Sequence, residues 1–447
     1  MNKSIYISLI LLFAACSKEL DVKPTQSIDE TNALATAQDV KVTLIGAYDG
    51  LADGDVYGGG FQYISELVAD DREVVFRGTF STLDEMWRKA FTAGNTQVLA
   101  TWRDAYVAIN RANNVLSALD KLDAADKSKV EGEARLIRGA TYLGLINLFA
   151  KAWGDGDQNS NPGVPLVTTP TRVVTDEDSR PRATVAAVYT QILDDLTKAE
   201  TLIPESADNN GFGTRNAATA LLARTYLIQG NFAAARDAAQ KVIASGKHAL
   251  ADSYDEVFDD QSGSFDLENI FKVIVTEQDG VNSMNTYFAP PAFAGRGDVV
   301  VQSKHTALYD MDDPRSQFTV IASGRLYSAK HLDQFGDVNI IRLSEMYLIR
   351  AETNFRLGTV VGASPLADIN AIRARAGAGL LTIDQINLER ILLERKLELM
   401  FEGQLLQDVR RLKKNVGTLP FSDPKMVLPI PQREIDTNKS LVQNTGY

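Results

Sequence analysis

From about residue 37 onward, apolar positions recur at spacings of three and four. In residues 97–119 they fall at Leu99, Trp102, Tyr106, Ile109, Ala112, Leu116 and Leu119, one stripe along a helix. Residues 126–150 continue in the same manner, after an aspartate placed to cap the start. Residues 151–183 are rich in Gly, Pro, Asn and Asp and predict a long loop, with helical pattern returning at about 184–203. The clearest repeat is 216–245, where Ala223 and Ala235 alternate with Tyr226 and Phe232 around the turn Gly230-Asn231. Small residues let two helices approach closely while the aromatic rings fill the groove, which is the pattern of a tetratricopeptide unit. One such unit cannot bury its own apolar face. Residues 97–119 with 126–150, and residues 342–376, are therefore expected to supply further helix pairs.

Residues 247–338 break this rhythm. They hold Gly, Pro, aromatic residues, short β-type runs at 270–275 and 299–301, and all three histidines (His248, His305, His331). They predict an insertion of loops and small β elements. A helix at about 386–414 and an irregular tail close the chain. The expected fold is mostly α: a scaffold of tetratricopeptide-type helix pairs with a loop-rich insertion containing small β elements.

The N-terminus reads differently. Residues 5–15 are uncharged and apolar, but too short to span a bilayer core, which takes about 20 residues. A short apolar run after a lysine, ending in small residues, is the grammar of an export signal. Cys16, the one cysteine of the chain, follows Ala14 and Ala15 directly. The arrangement resembles a bacterial lipobox, with Phe13 where leucine is usual. The expected organisation is a lipoprotein signal peptide over 1–15, a lipidated tether over 16–36, and a single domain over 37–447. Within that domain, helix pairs are expected at about 97–246 and 342–376, and the insertion at about 247–338.

Charge narrows the partners. Asp and Glu number 58 against 46 Lys and Arg, a net charge of −12. An acidic surface repels phosphate backbones and argues against nucleic acid. With no second cysteine, no disulfide within the chain supports the fold, and its length is enough to bury a core without one.

Several stretches together resemble the SusD/RagB family of Bacteroidetes outer-membrane lipoproteins. They are CSKELDVKPT, WRDAYVAINRANNVL, GEARLIRGATYLGLINLF followed by GVPLV, ENIFKVIV, IIRLSEMYLIRAE with INAIRARAG, ILLERKLELMFEGQLLQDVRRLK, and the closing LPIPQREIDTNKSLVQNTGY. The resemblance runs over about residues 16–447. It implies a cell-surface, lipid-anchored protein that is not an enzyme. Such a protein captures a nutrient, most often an oligosaccharide, and acts as a lid over a SusC-like TonB-dependent outer-membrane transporter. Glu19, after Ser17-Lys18, resembles the family's surface-export signal, and Cys16 would carry the lipid. A peptide-binding RagB-like receptor and a tetratricopeptide scaffold without a small ligand are the alternatives.

Other chemistry is thin. Glu394, Glu398 and Glu402 lie four apart, as paired glycosidase carboxylates might be imagined, but Arg390, Arg395, Arg410 and Arg411 close by predict a structural ion network instead. The histidines lack zinc-ligand spacing. The acidic runs at 252–260 and 309–315 read as solvated turns, the second without the glycine and distal glutamate of a calcium loop. No metal and no cofactor are expected. Sugar binding needs an aromatic platform flanked by groups that hydrogen-bond hydroxyls. Trp102 lies on the buried stripe and Trp153 at a loop start. Trp87 lies in a polar, glycine-punctuated stretch. In the family the ligand surface often draws on this part of the chain and on the mid-chain insertion. The candidate ligand-binding residues are accordingly Asp71, Arg72, Phe80 and Trp87, with Tyr287, Phe288 and Arg296.

Overall fold

The computed structural model describes residues 34–172, 179–207 and 209–447. The leader, Cys16 and most of the tether lie outside the described residues.

The N-terminal half is a succession of capped helices: α1 (Ala37–Ala52), α2 (Gly60–Ala69), the short strand β1 (Val74–Phe76), α3 (Ser81–Arg88), α4 (Thr96–Ser117), α5 (Ala124–Phe149), α6 (Val185–Leu202), α7 (Arg215–Ile228) and α8 (Phe232–Ala244). Local chemistry sets their starts. Thr36 and Asp39 form a reciprocal capping box on α1. Asn95, Asp123, Thr184, Thr214 and Asn231 each accept backbone N–H bonds at the heads of α4, α5, α6, α7 and α8. Successive helices pack in antiparallel pairs from α4 to α8, with α1 laid against α4. Gly132 is where α5 comes closest to the end of α6: a Cβ there would stand 2.6 Å from the Ile203 side chain. The α7–α8 pair turns at Gly230 with φ of 72° and buries Ala223, Ala235 and Ala239 completely.

The middle of the chain holds α9 (Gly263–Glu268), β2 (Asn269–Val273), α10 (Ser283–Phe288), β3 (Val299–Val301), α11 (Ser303–Thr306), β4 (Thr319–Ala322), β5 (Arg325–Ser328) and β6 (Val338–Arg342). Two antiparallel sheets result: four strands in the order β1-β3-β5-β4, and the pair β2-β6. Four further helices follow: α12 (Leu343–Leu357), α13 (Pro365–Arg375), α14 (Leu388–Leu399) and α15 (Leu405–Arg411), before a short α16 (Gln432–Thr437). α12 packs on α8, α13 and α14.

The single helix predicted over 386–414 is in fact two. Phe401 and Gly403 adopt φ of 67° and 84°, outside the helical range, and Gly403 approaches so closely that a Cβ would stand 2.6 Å from the Gln62 Cα. The break docks the turn onto α2. The mostly α character stands: sixteen α-helices against six short strands among the described residues. One large hydrophobic cluster takes side chains from Val40 through to Leu441, and a smaller one gathers Leu348, Ala351, Ile369 and Ile391. No helix among the described residues is long and apolar enough to cross a membrane.

Candidate functional site

The pairing of β1 with β3 joins two parts of the chain that are remote in sequence. Val74 lies opposite Val301, Val75 opposite Val300 and Phe76 opposite Val299. The ladder extends at both ends. Arg77 donates its N–H to the Asp298 carbonyl (2.6 Å), and Gln302 donates to the Glu73 carbonyl (2.9 Å). The segment after β1 is thereby held against the segment before β3.

At that end Arg296, Phe80 and Tyr287 come together. The guanidinium of Arg296 sits 4.5 Å from the Phe80 ring centroid and donates to Thr79 Oγ1 (2.8 Å) and Asp298 Oδ2 (3.0 Å). Phe80 meets Tyr287 edge-on at 6.0 Å, and Tyr287 meets Tyr63 edge-on at 5.0 Å. Phe80 keeps 43 % of its surface exposed, so a ring remains open to a ligand. Polar groups border the aromatic row. Asp55 accepts from Tyr63 Oη (3.3 Å) and Gln97 Nε2 (2.5 Å). Asp53 accepts the Asp55 N–H (2.8 Å). Burial raises the Asp298 carboxyl against the opposing pull of Arg296, and it raises the Tyr287 phenol. An exposed ring, a guanidinium, carboxylates and an amide are the complement of a sugar's apolar face and hydroxyls.

Among the described residues, only Asp53, Asp55 and Asp104 place ligand atoms within 4.8 Å of one another in a group of metal-binding type. Arg103 pairs with Asp104 at 2.7 Å and offsets part of that charge. Burial, and then the neighbouring Asp104 and Asp55 carboxylates, raise the Asp53 carboxyl. A cleft of about 660 Å³ shares Asp53 with the border of the patch; Ile45, Phe212 and Ile274 form its apolar side.

The other candidates divide. Asp71 and Arg72 lie at the opposite end of β1: Asp71 pairs with Lys304 (2.8 Å), and Arg72, at φ of 60°, points its exposed side chain to solvent. Trp87 is half-buried against the main core, and its Nε1 donates to Asp70 Oδ2 (3.0 Å) and the Val74 carbonyl (3.2 Å). That indole braces α3 against β1. Phe288 is a correction. It is 1 % exposed and packs on Phe401 and His331, because alternate sides of the short helix α10 face solvent and core, and Tyr287 has the outer one. Cys16 lies outside the described residues. Sequence reasoning missed Tyr63, Asp55 and Gln97. The signal was the run GDVYGGGF: Gly60 packs against the backbone of Asp55, where no Cβ fits, and so brings the start of α2 against that residue.

The glutamates of α14 are structural. Glu394 pairs with Arg315 (2.8 Å), Arg373 (2.5 Å) and Arg390 (2.7 Å). Glu398 pairs with Arg342 (2.6 Å), Arg315 (3.3 Å) and Arg375. Glu402, in the turn beyond the helix, pairs with Lys330 and Arg342, each at 2.7 Å. Glu394 and Glu398 have no exposed surface. Burial opposes ionisation of Glu398, but the charges of Arg375, Arg342 and Arg315 overcome it and hold the carboxyl far below its ordinary range. Asp310, from the acidic turn, is likewise tied to Arg390 and Arg373 and falls to about 2. Of the tryptophans beyond Trp87, Trp102 is 3 % exposed between Tyr106 and Phe149, and Trp153 packs edge-on against Tyr189.

Comparison with known proteins accords with this architecture. A SusD-like family model described as "starch-binding associating with outer membrane" matches residues 19–227, and the SusD family model matches residues 323–419, together about two thirds of the chain. The chain belongs to the SusD/RagB family. SusD-like protein P2 of Formosa agariphila is 24 % identical over 519 residues, covering 100 % of this chain and 99 % of the relative. The crystal structure of a SusD superfamily protein from Bacteroides thetaiotaomicron superposes with a TM-score of 0.81 at 25 % identity, over 92 % of this chain and 99 % of that one. A laminarin-binding SusD-like protein superposes with a TM-score of 0.75 at 23 % identity, over 92 % of this chain and 100 % of that one.

Proposed function

We propose that this protein captures an oligosaccharide at the cell surface and delivers it to a SusC-like TonB-dependent transporter in the outer membrane. In this reading Cys16 carries the lipid anchor, residues 16–36 form the tether, and 37–447 act as one ligand-presenting domain without cofactor. The observation that carries the reading is the junction of Phe80, Tyr287 and Arg296 across β1 and β3, an exposed ring beside a half-buried one with hydroxyl-binding groups at their edge. Capture combines ring stacking with hydrogen bonds donated by Arg296 and Gln97 and accepted by Asp55, and needs no chemical step. One structural neighbour is a laminarin-binding protein, which makes laminarin, a neutral glucan, the first ligand to try. The carboxylate-rich border favours an uncharged glycan over a uronate or sulfated one, because like charges repel at short range.

Calorimetric titration of the purified protein with neutral, uronic and sulfated oligosaccharides, beside a peptide mixture, tests this. Saturable binding of a neutral glycan that Phe80→Ala weakens supports the reading. Peptide binding alone moves the protein to the RagB-like alternative, and binding of neither overturns capture by the isolated protein. Co-purification with a TonB-dependent barrel tests the delivery step separately.

A further inference from the structure

Two short pieces of chain join the Phe80–Tyr287–Arg296 patch to the 660 Å³ cleft. Ser283 lines the cleft and stands four residues before Tyr287 on α10, one turn away on the same side of the helix. Asp53 also lines the cleft and accepts the Asp55 N–H (2.8 Å). Asp55 in turn accepts from Tyr63 Oη (3.3 Å), whose ring meets Tyr287 edge-on. Gly54, between the two aspartates, lies so close to α10 that a Cβ would stand 2.9 Å from Ser283 Oγ. The turn over 53–55 and the first turn of α10 thus belong to both surfaces.

The cleft repeats the chemistry of the patch. Phe212 is half-buried in its lining, and an edge-on contact with Tyr48 at 5.2 Å fixes the ring. Ile45, Ile274 and Val281 leave aliphatic surface exposed beside it. The one cation of the lining, Lys272, is committed to Asp266 (2.6 Å) and Asp337 (2.8 Å), and Asp49 is paired with Arg111 (2.6 Å). Asp53 and Asp279 have no ion-pair partner among the described residues. Asp53 Oδ1 accepts the Asp55 N–H, and Asp279 Oδ2 accepts the N–H and hydroxyl of Thr276, so each keeps one oxygen free of bonds to the described residues. Gln278 adds an exposed amide. A ring, aliphatic surface, free carboxylate oxygens and an amide take up the C–H face and the hydroxyls of a sugar. At about 30 Å³ per water-sized group, the cleft holds on the order of twenty such groups, roughly two hexose units.

We infer that the cleft continues the glycan site, and that the ligand is a chain of about four sugar units, roughly two on the patch and two in the cleft. Phe212 and Asp279 are then the residues that set the preference for length. The inference rests on the glycan reading and adds a chain length to it.

The test is calorimetric titration with laminari-oligosaccharides from the disaccharide to the hexasaccharide, or with the same series of whichever neutral glycan binds. Affinity should rise about tenfold or more from disaccharide to tetrasaccharide, since a further ring contact and a further hydroxyl bond each add about fivefold, and then level off. Phe212→Ala should bring the ratio of tetrasaccharide to disaccharide affinity close to one, whereas Phe80→Ala should weaken every length. Circular dichroism checks the fold of Phe212→Ala; if it does not fold, Asp279→Ala, at an exposed loop position, decides by lowering the same ratio. Binding with a flat length profile, or a ratio that neither variant lowers, overturns this inference and leaves the glycan reading standing. No binding at any length overturns the glycan reading, and the inference falls with it.

Discussion

Arg296 reaches across 217 sequence positions to donate to Thr79, and in doing so lays its guanidinium over the neighbouring Phe80 ring, 4.5 Å from the centroid. The contact exists because β1 and β3 pair in a fixed register, so the proposed ligand surface is built by the sheet and not by either loop alone. A cation over an aromatic face at a part-exposed site contributes about 0.5–1 kcal/mol and orients the ring.

Phe80→Ala and Arg296→Ala are each expected to weaken glycan binding by about fivefold or more, since stacking and hydroxyl hydrogen bonds each account for about 1 kcal/mol. The double variant should lose less than the sum of the two, because each group positions the other. Calorimetric affinities of all four proteins check this. Strict additivity would mean that the two side chains act independently.

Trp87→Ala should behave in the opposite manner. Its indole braces Asp70 and Val74 and packs on the core. The expected cost is about 2–4 kcal/mol of stability, from lost packing and the loss of the indole N–H bonds to Asp70 and Val74. Glycan affinity of the folded fraction should change less than about twofold. Denaturant unfolding read beside calorimetry separates the two effects; a large affinity loss at unchanged stability would return Trp87 to the ligand surface.

These contrasts show what the sequence could reveal. The stripe through Trp102 and the small–aromatic alternation at 216–245 are local periodicities, and both fold as helices, with Trp102, Ile109, Ala112, Ala223 and Ala235 buried and Tyr106, Leu116, Tyr226 and Phe232 half-buried against the core. The ion network around the glutamates of α14 was legible, but its partners were not. Of the four arginines close in sequence only Arg390 pairs with them, and Arg315, Arg342, Arg373, Arg375 and Lys330 arrive from remote segments. Arg395 and Arg411 pair with other carboxylates, and Arg410 bonds backbone carbonyls. Trp87 was different: whether an indole faces solvent depends on Asp70 and Val74, whose positions follow from a strand pairing that no local pattern encodes. Tyr287 and Phe288 are adjacent aromatics, and only the docking of α10 on Phe401 decides which is covered. The break at Phe401–Gly403 was hidden inside a continuous helical pattern, because the demand comes from Gln62 on another helix.

Removing one partner of the central ion network should be costly. Glu398→Ala would leave Arg342, Arg375 and Arg315 buried beside one another with fewer counter-charges. Breaking a buried pair in this way costs roughly 3–5 kcal/mol, most of it the penalty of the orphaned cations. Guanidinium unfolding midpoints measure it. A loss below about 1 kcal/mol would show that water or the remaining carboxylates, Glu268 and Glu402, compensate fully.

Glu66 predicts a pH dependence of opposite sign to that of the ion-paired carboxylates. It is 2 % exposed where α2 meets the turn before α15, and burial pushes its carboxyl up to about 7 from an ordinary 4.5, against the backbone N–H bonds of Phe401, Leu405 and Gly403. A folded-state value above the unfolded one means that the folded protein holds this proton more tightly. The stabilisation is therefore fully present below pH 4.5 and is lost as pH rises to about 7, by roughly 3 kcal/mol at 1.36 kcal/mol per unit. Glu66→Gln keeps an acceptor for the Gly403 N–H but turns an amide toward the Phe401 N–H, a mismatch whose cost does not vary with pH. The difference in unfolding free energy between the wild type and Glu66→Gln should thus move against the wild type between pH 5 and pH 8. Denaturant titrations of both proteins at several pH values measure that difference. Parallel pH curves would show that the three N–H bonds keep the carboxylate ionised throughout and that burial does not govern this group.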